Sequence, residues 1–84
     1  MTRTVKKNLA PDVHAIGRRI RQIRGFDLTQ AEFGKIMGIG QTQLSKYEKG
    51  QSMPTVEVLV RLKAYSRKSI DWIILGEEGT QLTL

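Results

Sequence analysis

The sequence predicts an all-α fold. Apolar residues recur at spacings of three and four, as on one face of a helix, and the body of the chain has no strand-like alternation. Residue types that start and stop helices bracket those stripes. The 84 residues make one domain, with room for four or five short helices and none for an elaborate catalytic cleft.

Residues 1–10 show no periodicity and are expected to form a flexible basic N-terminal arm ahead of a domain over 11–76. Pro11 suits a first helical turn, where its missing N–H costs nothing. Val13, Ile16, Ile20 and Ile23 then form one stripe on a helix ending near Gly25. At about 100° per residue, Arg18 points away from that stripe and Arg24 flanks it, so Arg24 needs a partner. A second helix starts at Thr29, an N-cap type, with Glu32 three residues on and Leu28 and Phe33 placed as a hydrophobic staple. Gly38 ends it. A third helical pattern runs from Gln41 to Lys49, with Leu44 and Tyr47 inward and Gly50 after it. Pro54 and Thr55 open a fourth helix, whose apolar residues are Val56, Leu59, Val60 and Leu62. Ser69 caps a short fifth helix, "IDWIIL", stopped by Gly76, and 77–84 form a C-terminal tail. Trp72 and its isoleucine neighbours either hint at self-association or simply cap the core.

The absence of cysteine excludes a disulfide framework, a thiol nucleophile and thiolate metal sites, and fits a reducing compartment. No apolar run is long enough to span a membrane, and the start lacks the apolar core of a secretory signal. His14 stands alone, so no metal site follows, and no phosphate loop or catalytic set is present; neither a cofactor nor an enzyme activity is expected. The net charge of +6 is unevenly spread: residues 1–25 hold seven basic side chains against one acid, and the remainder balances. This asymmetry suits a polyanionic partner, nucleic acid ahead of a membrane surface, although a solubilising face has the same composition.

The stretch "FGKIMGIGQTQLSKYEKG" carries the more specific signal, that of a helix-turn-helix or of an ordinary αα-corner with no ligand. Gly38 supplies the positive φ of a tight reversal, and Gly34, one helical turn earlier, lets the following helix approach closely. Counted from Gln30, a small residue stands at position five and glycine at nine. Apolar residues stand at four, eight, ten, fifteen and eighteen. Two short helices crossing steeply at close range need this pattern.

The chain "LTQAEFGKIMGIGQTQLSKYEKGQSMPTVEVL", with "SIDWIILG" beyond it, resembles the phage-repressor and Cro-type (XRE-type) helix-turn-helix family, from about Ile23 to Gly76. The resemblance implies a compact five-helix, lambda-repressor-like domain that binds double-stranded operator DNA as a homodimer. It implies a cytoplasmic transcriptional regulator, usually a repressor, in a prokaryote or its phage. The recognition helix is then Gln41–Lys49. By angle, Thr42, Ser45, Lys46 and Lys49 face outward and Gln41 sits at the exposed tip. Gln pairs bidentately with adenine, Lys donates to guanine, and Thr offers a methyl or a hydroxyl. The resemblance places Gln41, Thr42 and Lys46 on bases, with Gln43 and Ser45 as lesser candidates. It puts Gln30 on the phosphate backbone. Thr29 can join it there, although its cap role alone explains it, and Lys49, Gln51 and Ser52 are expected on the far side of the groove. It also pairs Glu48 with Arg24. The chain departs from the family at Gly40, where a Ser or Thr cap is usual. Two other readings share these residues. One is an antitoxin-like DNA-binding protein that also neutralises a toxin. The other is a protein-interaction scaffold.

Overall fold

The structure, a computed structural model, describes residues 11–76. The expectations for the basic arm (1–10) and the tail (77–84) lie outside those residues. Five helices follow in order: α1 (Val13–Arg24), α2 (Gln30–Met37), α3 (Gln41–Glu48), α4 (Val56–Ser66) and α5 (Ile70–Leu75). Among the described residues there is no strand.

Side chains fix most of the helix starts. The Thr29 hydroxyl accepts from the Glu32 N–H while the Glu32 carboxylate accepts from the Thr29 N–H, a complete capping box. The Thr55 and Ser69 hydroxyls cap α4 and α5 by accepting from the Val58 N–H and the Trp72 N–H. Gly40 precedes α3 with no side-chain cap bond.

Two starts differ from expectation. Pro11 lies outside α1, because Asp12 takes the cap position and its carboxylate accepts from the His14 and Ala15 N–H groups. Pro54 likewise precedes the Thr55 cap. The Asp12 carboxyl is held below its ordinary 3.8, chiefly by the Ala15 N–H, with His14 and the Arg18 charge adding to it. A lowered folded-state pKa gives stability that is present above the unfolded value and lost as pH falls through the folded one. The melting temperature of Asp12→Ala should therefore lie below that of the parent at neutral pH. The gap should close as the pH is taken below 3.8.

The core gathers Ile16 and Ile20 of α1, Phe33 and Met37 of α2, and Leu44 and Tyr47 of α3. Val58, Leu59 and Leu62 of α4 and Ile73 of α5 complete it. Each fully buried Leu, Ile, Phe or Met in this set contributes on the order of 1.5–3 kcal/mol. Leu28, Ile23 and Ile39 pack at its margin, and the Tyr65 ring meets Phe33 edge-on at 5.3 Å between centroids. α1 lies across α3 and α5, and α4 closes the far side against α5, α2 and α1.

α4 differs from the sequence expectation. Val58, Leu59 and Leu62 face the core, whereas Val56 and Val60 stand 75% and 51% exposed. α5 is also used differently. Ile73 is fully buried, Trp72 and Ile74 are half-buried, and the Lys68 ammonium lies 4.7 Å over the Trp72 ring, leaving Leu75 as the exposed apolar side chain.

Arginines close two helix ends. Arg19 donates to the Ile73 and Ile74 carbonyls at 2.9 and 3.0 Å, and Arg61 donates to the Met37 carbonyl at 2.8 Å. Both meet the negative end of a helix dipole, where a cation is favoured.

Candidate nucleic-acid interface

The angle between α2 and α3 is set by backbone contacts that only glycine allows. Gly38 adopts φ 76°, ψ 27°, in the left-handed region, and the Ile39 N–H reaches back to the Gly34 carbonyl at 2.8 Å. A Cβ on Gly34 would stand 2.7 Å from the Ile39 carbonyl oxygen, so the turn folds directly onto the preceding helix.

A second close approach escaped the sequence reading. Gly17 is buried in the middle of α1, where a Cβ would stand 2.8 Å from the Glu48 carbonyl oxygen and closer still to that of Tyr47. α1 therefore seats the C-terminal end of α3 through bare backbone. Its signal was available as a lone glycine inside a helical stripe, which usually has a packing reason. Gly17→Ala must push α1 and α3 apart. Overpacking of this kind costs about 1–3 kcal/mol, and a thermal melt should show a fall of at least ~4 °C.

Beside that contact, Arg24 and Glu48 meet with side chains only 13% and 4% exposed. Arg24 Nε donates to Glu48 Oε2 at 2.8 Å and Nη2 to Oε1 at 3.0 Å, a bidentate fork. The remaining Nη1 donates to the Leu28 carbonyl at 2.9 Å. The hydrogen bond that Arg24 donates to Glu48, reinforced by the carboxylate charge, raises the Arg24 pKa above its ordinary value. Glu48 Oε1 also accepts from Gln30 Nε2 at 3.0 Å. One carboxylate thus ties the end of α1 and the start of α2 to the end of α3.

With α3 held this way, its outward residues gather into one open, polar depression. Gln30 from the start of α2 shares it with Gln41, Thr42, Ser45 and Lys46 on α3, and with Lys49 and Gln51 just beyond. α3 is one residue shorter than expected, since Lys49 forms its C-cap. Other residues singled out from the sequence lie elsewhere or are engaged. Gln43 is half-buried, and its amide donates to Ser52 Oγ at 3.4 Å, joining α3 to the loop that follows. Thr29 is exposed but commits its hydroxyl to the cap. Gln30 has one amide proton on Glu48 and a second to offer outward. The bond to Glu48 could not be read from sequence, because it needs the crossing of α2 on α3.

Residues 18–73 match the model of the family described as Helix-turn-helix. The chain belongs to that family. Helix-turn-helix proteins of the phage-repressor and Cro type are DNA-binding transcriptional regulators, and here α2 and α3 form the motif itself. Among curated relatives, the antitoxin PezA of Streptococcus pneumoniae serotype 4 is 44% identical over 65 residues, covering 75% of this chain and 40% of PezA. The helix-turn-helix-type transcriptional regulator DicA of Escherichia coli K12 is 36% identical over 69 residues, covering 81% of this chain and 51% of DicA. The chain thus spans about half the length, or less, of these two relatives. Among solved structures, the P22 c2 repressor in complex with a synthetic operator superposes with a TM-score of 0.67 at 30% identity, covering 74% of this chain and 96% of the repressor chain in that structure. The helix-turn-helix core and its five-helix frame are therefore the fold expected from the sequence.

Proposed function

We propose that this chain is a sequence-specific regulator of transcription that lays α3 in the major groove of double-stranded DNA. The observation that carries the reading is the shared polar depression: side chains from the starts of two helices, held at a fixed angle, converge on one side of the molecule. Gln41, Thr42 and Lys46 read base edges, with Ser45 beside them, and Gln43 braces the following loop while reaching the groove margin. Gln30 offers its second amide proton to phosphate, together with the Gln30 and Ala31 N–H groups that follow the Thr29 cap at the start of α2. Lys49, Gln51 and Ser52 meet the backbone across the groove. A single α3 reads too few base pairs to specify one site, so two copies bind an inverted repeat as a homodimer. The chain acts by occupying its operator, in the cytoplasm, and as a binding protein rather than a catalyst.

Selection of bound sites from random duplex DNA tests this. The expected product is an inverted repeat with half-sites ~10 base pairs apart, centre to centre. Recovery of unrelated sequences at even frequency would remove sequence reading from α3. The likeness to PezA supports a second reading, in which the same module also carries antitoxin activity. Copurification with one small, stoichiometric protein from the native host is the result that favours it.

A further inference from the structure

We propose that Phe26, with Arg18 and Arg21, forms a docking surface for an acidic segment of another protein, which seats one apolar side chain beside the Phe26 ring. That ring is 98% exposed in the turn after α1. Beside it lies an open cleft of about 320 Å³, lined by Arg18, Arg21, Gln22, Gly25 and Phe26. At about 100° per residue, Arg18 stands opposite the buried Ile16 and Ile20, and Arg21 and Gln22 lie within about 60° of it. α1 meets α3 through Gly17 and Arg24 and α5 through Arg19, each about 100° or more round the helix from Arg18. The cleft therefore faces away from both neighbours. It shares no residue with the polar depression of Gln30 and α3, so filling it does not compete for the residues proposed to meet DNA. The proposal goes beyond the DNA-binding reading and does not depend on it.

Three observations choose this occupant. First, the charge lining the cleft has one sign. Arg18 and Arg21 make no ion pair among the described residues. The Asp12 charge reaches Arg18, but that carboxylate is committed to the His14 and Ala15 N–H groups, and Asp27, next to Phe26, does not line the cleft. Two guanidinium forks match carboxylates. A like copy would bring the same two cations against them, and like charges face to face are strongly unfavourable. Second, the cations stand beside an aromatic ring, and aromatic residues and arginine are the types enriched in protein interfaces. A duplex backbone would pair with the guanidinium groups but would offer the ring nothing apolar. Third, Arg18, Arg21, Gln22 and Phe26 are all exposed, so the cleft has no walls to enclose a small molecule, whereas a protein segment brings its own cover. These two arginines are also the part of the charge excess on α1 left over once Arg19 and Arg24 are fastened inside the fold.

Selection from a library of random displayed peptides on the immobilised full chain tests this. The enriched peptides should carry Asp or Glu beside one Leu, Ile, Phe or Trp. They should bind the parent at least about tenfold more tightly than they bind Phe26→Ser or Arg18→Gln/Arg21→Gln. Thermal melts of these variants should match that of the parent, because all three side chains are exposed. Bound peptide should stay in place when the duplex selected above is added in excess, and Phe26→Ser should bind that duplex within about twofold of the parent. The proposal is overturned if no peptides are enriched, if the enriched ones lack acidic residues, or if they hold the variants as tightly as the parent. Displacement by the duplex would give the cleft to nucleic acid and overturn it. Self-association of the parent in sedimentation, lost in Phe26→Ser, would give it to a like copy with the same effect. A parent that holds acidic peptides at Phe26 but prefers no duplex sequence removes the DNA-binding reading and leaves this surface standing.

Discussion

Replacing Arg24 with methionine should lower the stability of the domain by about 3–5 kcal/mol in urea unfolding at neutral pH. The magnitude follows from what is left behind rather than from the ion pair itself. Glu48 keeps a carboxylate whose side chain is only 4% exposed, and it loses both prongs of the guanidinium fork. Gln30 alone still donates to it. Methionine matches the stem of arginine in reach and apolarity, so lost packing is a minor part of the change. Arg24→Met/Glu48→Leu removes the stranded charge along with its partner and should recover much of the loss, which a double-mutant cycle would report as coupling. An Arg24→Met protein as stable as the parent would show that Glu48 is hydrated well enough to stand alone.

The second large effect falls on recognition. Gln41→Ala/Thr42→Ala should reduce preference for the selected site over scrambled duplex by about a hundredfold or more, since two good base contacts contribute ~1–3 kcal/mol each. Both positions are exposed at the open start of α3, where Gly40 gives no cap bond to lose, so the thermal melt should barely move. Affinity for scrambled DNA should be nearly unchanged, because it depends on backbone contacts. Unaltered preference in the double variant would displace base reading from the tip of α3.

The sequence was informative where one chemical choice excluded the others. Thr29 with Glu32 could begin a helix in one way, and Gly38 could reverse the chain in one way, so the motif was legible before any coordinates. Arg24 was legible as a cation too close to the apolar stripe to go unpaired. The outward residues of α3 were legible because Leu44 and Tyr47 fix its rotation. α4 was not. Val56, Val58, Leu59, Val60 and Leu62 offer several overlapping stripes, and only the tertiary core, which takes in Val58, Leu59 and Leu62, selects among them. Pro11 misled in a different way. Its ring suits a first turn, but a carboxylate able to take two N–H groups stood next to it and set the boundary. Gly17 lacked a partner in sequence, because the carbonyls it admits lie some thirty residues away along the chain.

The arginines that close helix ends bear on how ionic strength should act. Arg19 is held by the end of α5, Arg24 by Glu48, and Arg61 by the end of α2 and by Glu57. None of these is at liberty to displace a condensed counterion from a duplex, although each adds to the fourteen Lys and Arg of the composition. With ~0.9 of a logarithmic step contributed per neutralised phosphate, the plot of log K against log salt should be shallower than a count of cations suggests. Its gradient would register an ammonium group such as that of Lys49, proposed to lie on phosphate, while passing over guanidinium groups already used as internal fastenings.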